Sequence, residues 1–148
     1  MELLIMDRTE AVEYKPLHLT YAIRIGFGGR KHPNYQFEPL KKPELCRTHF
    51  YFFDDLEPRH LSWGIRGISF TPEIAEEVIT DFEEGRKDCN TLLAHRSRGK
   101  NRSPAIGMAL NDIFSLGHHS AELKSQFPAY NPWVYQVMMK TFDNMIKP

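Results

Sequence analysis

Four basic side chains fall within seven residues of this chain: Arg96, Arg98, Lys100 and Arg102. An apolar run, Leu92-Leu93-Ala94-His95, precedes them, and a segment opening Ser103-Pro104 and rich in Ala, Ile, Met and Leu follows. The chemistry open to such a stretch is anion binding. A helix N-terminus presents unpaired N–H groups with partial positive charge, so a loop wrapping into it can ring a phosphate with main-chain donors. Gly99 permits a tight turn, Arg102 can clamp two oxygens at once, and the Ser103 hydroxyl can hydrogen-bond inside the loop. The same residues also fit a solvated basic turn between strand and helix, which composition alone does not separate from a binding loop.

Other chemistry-bearing residues are sparser. Asp54 and Asp55 follow the aromatic run Arg47-Thr48-His49-Phe50-Tyr51-Phe52-Phe53, placing two carboxylates at a strand end. Cys46 and Cys89 lie in unrelated contexts without CxxC spacing. The histidines, His118-His119 included, show no ligand spacing with carboxylates or cysteines, so neither a metal nor a cofactor is expected. The glycines of Gly26-Phe27-Gly28-Gly29 lack the spacing of a dinucleotide fingerprint. Trp63 and Trp133 read as core or rim packing rather than as stacking platforms.

The elements that must position the basic turn follow from pattern and caps. Residues 2–6 form a short strand, and Asp7-Arg8-Thr9-Glu10 opens a helix to about Tyr14. Leu19 to Ile25 is a second strand ending at Gly26, followed by an irregular surface loop to Pro43. The third strand is the aromatic run, and Leu56 to Ser69 reads as a loop. Thr71-Pro72-Glu73 caps a helix whose buried stripe is Ile74, Val78, Ile79 and Phe82, stopped by Gly85. Thr91 to His95 is a brief buried strand. A nearly all-apolar helix follows the basic turn and stops at Gly117. Ser120 caps a short helix to Phe127, and Asn131-Pro132-Trp133 launches a last one with Val134, Val137, Met138, Phe142 and Met145 on its inner face. Strands alternating with helices, then helices alone, predict an α/β sheet covered on its faces.

At 148 residues the chain has the size of one domain. Nineteen basic and nineteen acidic side chains cancel, so general nucleic-acid or anionic-membrane affinity is not expected and any anion affinity must be local. Two cysteines without a disulfide pattern, no signal-like start and no apolar run of membrane-spanning length point to a cytoplasmic protein.

The run His95-Arg96-Ser97-Arg98-Gly99-Lys100-Asn101-Arg102-Ser103 resembles the His-Cys-x-x-Gly-x-x-Arg-Ser signature of the cysteine-dependent protein tyrosine and dual-specificity phosphatases, matching at His95, Gly99, Arg102 and Ser103. Pro104-Ala105 is also usual in the compact members. The rest of the chain is similar to small bacterial phosphatase-like proteins, down to the Phe127-Pro128-Ala129-Tyr130-Asn131-Pro132 segment. The resemblance implies one phosphatase-like domain over residues 1–148. It also implies a three-layer fold whose central, mostly parallel sheet of four to five strands is flanked by helices.

One position departs from the pattern. The family's nucleophilic cysteine is replaced by Arg96, whose guanidinium stays protonated and offers only donors, so no catalytic residue is expected in the chain as it stands. Cys89 should lie at the far end of the strand, roughly 20 Å away. Ser97 neighbours the nucleophile position without occupying it. The general acid of the family maps to Asp55, with Asp54 as second choice, and His95 to a residue that orients the loop. Without a nucleophile, Asp54 and Asp55 are expected to cap the loop or to pair with Arg96 or Arg102.

Three functions follow as expectations. The first is a pseudophosphatase that binds a phosphorylated protein, a nucleotide, a phosphoinositide or another phosphate-bearing ligand without hydrolysing it, through Arg96, Ser97, Arg98, Gly99, Lys100, Asn101, Arg102, Ser103 and Asp55. The second is a phosphatase whose parent carries cysteine at position 96, or whose loop supports another phosphoryl chemistry. The third is an interaction protein in which Arg96 folds into the pocket and pairs with Asp55.

Overall fold

Strand β4 (Thr91–Arg96) is flanked on both sides and leads toward helix α4 (Arg102–Phe114). A computed structural model describes residues 1–29, 37–96 and 102–147, with only the backbone of Arg102. Around β4 the chain lays down β1 (Glu2–Ile5), α1 (Arg8–Glu13), β2 (Thr20–Gly26), β3 (Cys46–Phe52), α2 (Pro58–Ser62), α3 (Pro72–Gly85), α5 (Ser120–Gln126) and α6 (Pro132–Ile146). Among the described residues the sheet has four strands in the order β1-β4-β2-β3, all parallel. The protein is therefore α/β. All four strands end at one edge, where open α/β sheets place their ligands.

Side chains alternate between the faces of a strand. Tyr21, Ile23, Ile25, Leu92 and Ala94 join the main core with residues of α3, α4 and α6, including Phe82, Ile106 and Val134. Ala22 and Leu93 pack on the opposite face with Leu40, Leu4 and Tyr14, where α1 ends. The helix α4 is buried through its first turns because β1 and β4 lie on one side of it and α6 on the other. Gly107 sits where α4 crosses β1: a Cβ there would come within 3.1 Å of the Ile5 side chain.

Local signals explain most of the boundaries. Asp7 and Glu10 form a reciprocal capping box on α1, Thr71 caps α3 and Asn131 caps α6. Four details differ from the sequence reading. The segment 56–69 contains α2, closed by His60 Nδ1 accepting from the Glu57 N–H at 3.0 Å. Ser120 is the first residue of α5 rather than its cap, because its hydroxyl donates to Asp112. On α3 Ala75 is fully buried beside Val78, Ile79 and Phe82, and Ile74 is only half-buried. On α6 Thr141 is buried while Met145 is 39 % exposed, beyond the stretch of helix buried in the main core.

Candidate functional site

Adjacent residues at the end of β4 point to opposite faces and carry different parts of the site. His95 is completely buried. Its Nε2 accepts from Arg24 Nε at 2.8 Å, and Nδ1 lies 3.2 Å from the carbonyl of Arg96, so the proton resides on Nδ1. Arg24 faces it because β2 and β4 pair in register, Arg24 opposite His95. Its Nη2 donates to the Glu38 carbonyl at 2.6 Å, and the guanidinium sits 4.7 Å from the centre of the Phe37 ring. Burial and the neighbouring Arg8 charge lower the Arg24 pKa to about 10. Burial first, then the Arg24 charge, lower the His95 pKa to about 4. His95 is thus a neutral acceptor that joins the end of β4 to β2.

Arg96 belongs to the strand, one residue further than the apolar run suggests, because its backbone pairs with Ile25. Its side chain lies on the face of the main core, and the residue is 2 % exposed. The Nε and Nη2 atoms are shut off from solvent. A buried guanidinium is costly unless negative charge or acceptors surround it. The last position of β4 therefore concentrates positive charge at the sheet edge, a few residues before the first turn of α4.

The two carboxylates after β3 have separate duties. Asp54 ties three segments together: Oδ2 accepts from the Ile68 N–H at 2.8 Å, Oδ1 from the Gly28 N–H at 3.3 Å, and its own N–H donates to the Ile68 carbonyl. Gly28 and Gly67 allow this approach, since a Cβ at either would meet the Asp54 carboxylate at 2.9 Å. These hydrogen bonds of Asp54 knit the loops beside it. Asp55 is exposed, and its Oδ1 accepts from Asn131 Nδ2. Asn131 is itself buried, and its Oδ1 caps α6 by accepting from the Val134 N–H at 3.2 Å. The carboxamide is used at both ends, which fixes its orientation.

Ser97, Arg98, Gly99, Lys100 and Asn101 lie outside the described residues, as does the side chain of Arg102. Ser103 is buried in the first turn of α4 and lines a cavity of about 240 Å³ with Pro104, Phe127 and the end of β1. Both thiols sit toward the opposite edge of the sheet. Cys46 begins β3, and Cys89, two residues before β4, lies with its sulfur 3.8 Å from the Gly85 carbonyl. Burial raises the pKa of each. Neither is placed to replace a nucleophile at position 96. Trp133 is half-buried, its indole N–H bonded to the Phe70 carbonyl, and Trp63, 67 % exposed, meets the His60 ring edge-on at 5.5 Å outside the core. Among the described residues no three His, Cys, Asp or Glu side chains converge as a metal site. No described helix is long and apolar enough to cross a membrane.

Sequence reasoning missed Arg24 and the second use of Asn131. Arg24 carried a signal, being the one charge inside Thr20-Tyr21-Ala22-Ile23-Arg24-Ile25. Asn131 carried none beyond its capping role, since its partner is distant in sequence. Compared with protein-family models, with curated proteins and with solved structures, the chain matches none of them.

Proposed function

We propose that this chain is a catalytically inactive relative of the cysteine-dependent phosphatases, with their fold, whose segment 95–103 binds a phosphate-bearing ligand without hydrolysing it. The observation that carries the reading is the burial of Arg96 at the end of β4, at the position the signature gives to a thiolate. Exchanging a thiolate for a guanidinium raises the local charge by about two units, which attracts a polyanion and removes the attacking atom. The parallel sheet order, the helix opening at Arg102 and the neutral His95 held by Arg24 are consistent with a strand–loop–helix anion cradle. Phosphorylated proteins, nucleotides and other phosphate-bearing ligands all satisfy this chemistry.

The seclusion of Arg96 Nε and Nη2 from solvent favours a second reading, in which the guanidinium occupies the place of a phosphate and the protein acts through its surface alone. Calorimetric titration with inorganic phosphate separates the two. On the first reading the chain binds phosphate, and Arg102→Ala and Arg96→Met each weaken binding by about tenfold or more. On the second, the chain itself is silent and Arg96→Met creates phosphate binding. Hydrolysis of p-nitrophenyl phosphate by the unaltered chain would refute both.

A further inference from the structure

A cavity of about 330 Å³ lies between α6 and the start of α3. Pro72, the first residue of α3, bounds it on one side, and on the other Trp133, Val137, Lys140, Thr141 and Asn144 recur at the spacing of one face of α6. The volume falls at the lower end of the range for small-molecule sites. Its walls are of two kinds. Pro72, Val137 and the Trp133 ring are apolar, and the ring is held in place because its indole N–H donates at 3.1 Å to the carbonyl of Phe70, the residue before the Thr71 cap. Lys140 and Thr141 bring polarity. Thr141 is only 7 % exposed, and its hydroxyl has no hydrogen-bond partner among the described residues. A hydroxyl so far buried is costly to leave unpaired, and the cavity is the side from which an acceptor can reach it. Lys140 is exposed and pairs with no carboxylate among the described residues. None of the described residues lining the cavity is acidic.

We propose that this cavity binds a small aromatic monocarboxylate, its ring against Trp133, Pro72 and Val137 and its carboxylate accepting from the Lys140 ammonium and the Thr141 hydroxyl. The charge of the walls selects the class. One cation and no anion match a single negative charge, whereas a neutral ring leaves the ammonium without a counter-charge and a doubly charged phosphate ester brings one charge too many. Asn144 stands one helical turn beyond Lys140, where its carboxamide can donate to the second carboxylate oxygen. An aliphatic acid fills the same space without the ring-to-ring contact that Trp133 offers. No residue of this cavity belongs to the segment 95–103, so the inference stands apart from the anion-binding reading of that segment.

The test is titration of the full chain with cinnamate, read by calorimetry and by the indole N–H signals of Trp63 and Trp133 in a proton–nitrogen correlation spectrum. Cinnamamide, cyclohexanecarboxylate and phenyl phosphate are the comparison ligands. Trp63→Phe assigns the two signals by deleting one of them. The expected result is saturable cinnamate binding that moves the Trp133 signal and leaves that of Trp63 in place. Cinnamamide should bind about tenfold or more weakly, and cyclohexanecarboxylate and phenyl phosphate severalfold more weakly. Lys140→Met should weaken cinnamate binding by about tenfold and Thr141→Val by about threefold or more. Methionine keeps the helix propensity of lysine, and valine replaces the hydroxyl by a methyl on the same branched frame. If Thr141→Val does not fold, Lys140→Met decides alone. A Trp133 signal unmoved at about 5 mM cinnamate overturns the inference. Cinnamamide binding as tightly as cinnamate, phenyl phosphate binding more tightly at the same signal, or unchanged affinity in Lys140→Met overturns it as well.

Discussion

Arg24 Nε points at His95 Nε2 across 2.8 Å, joining the two central strands through one cationic donor and one neutral imidazole. The bond exists only while that nitrogen is unprotonated. His95 has its pKa lowered to about 4 by burial and by the Arg24 charge, against an ordinary value near 6.5. The unfolded chain therefore binds a proton at higher pH than the folded chain does. The stability held by this pair is complete above pH 6.5 and falls as the pH drops from 6.5 toward 4, by a total of about 3 kcal/mol. Urea unfolding at pH 7.5, 6, 5 and 4.5 should show the midpoint dropping across this window. His95→Asn should flatten the drop, and an equally steep profile in that variant would show that other groups set it.

Gly28 is tightly packed against the contact between Asp54 and Ile68. A Cβ there would lie 2.6 Å from Ile68 Cβ and 2.9 Å from Asp54 Oδ2, and Ile68 is held by two hydrogen bonds to Asp54. Neither neighbour can yield without breaking that tie. Gly28→Ala should cost about 1–3 kcal/mol and lower the thermal midpoint by several degrees. Gly29→Ala is the control, since among the described residues nothing lies within 4 Å of its added Cβ. Equal midpoints for the two variants would mean that the 54–68 contact is looser than described.

Phe82 joins the layers of the core. It meets Tyr21 of β2 edge-on at 5.0 Å and Phe114 of α4 at 5.1 Å, while the Arg86 guanidinium lies 5.5 Å from its ring centre. Truncation to alanine opens a void between sheet, α3 and α4 that rigid neighbours cannot fill. The expected loss is about 3–5 kcal/mol by chemical denaturation, against less than about 1.5 kcal/mol for Phe82→Leu. A loss below 1 kcal/mol for Phe82→Ala would show that Tyr21 and Phe114 collapse onto the space.

Much of this architecture was legible because its signals are local. Asp7 with Glu10, Thr71 with Pro72 and Asn131 with Pro132 each announce a helix start by a side chain reaching three residues along, and each start stands where the pattern put it. The short α2 was hidden: its start rests on His60 folding back to Glu57, and glycines at 64 and 67 make the whole segment look irregular. Strand order could not be read from pattern, since pairing β4 between β1 and β2 depends on contacts some seventy to ninety residues apart. The same distance concealed the site. Arg24 finds His95 and Asn131 finds Asp55 only after the sheet and α6 have formed, whereas the basic turn, contiguous in sequence, was visible at once.

The character of position 96 can be tested without knowing the ligand. If the end of β4 and the first turn of α4 form an anion site, a thiol placed there should ionise easily, because partial positive charge at a helix N-terminus and nearby guanidinium groups stabilise thiolates. Arg96→Cys supplies that thiol against a quiet background, since the Cys46 and Cys89 thiols have their pKa raised by burial. Alkylation by iodoacetamide, followed from pH 5 to 10 by intact-mass spectrometry, should reveal one fast-reacting cysteine with an apparent pKa below about 7.5, and peptide mapping should place it at residue 96. Adding Arg102→Ala should move that pKa back toward about 8.5, the value of an unperturbed thiol. A residue-96 thiol titrating at or above 8.5 with Arg102 intact would mean that the strand end does not stabilise negative charge, and the anion-cradle reading would fall with it.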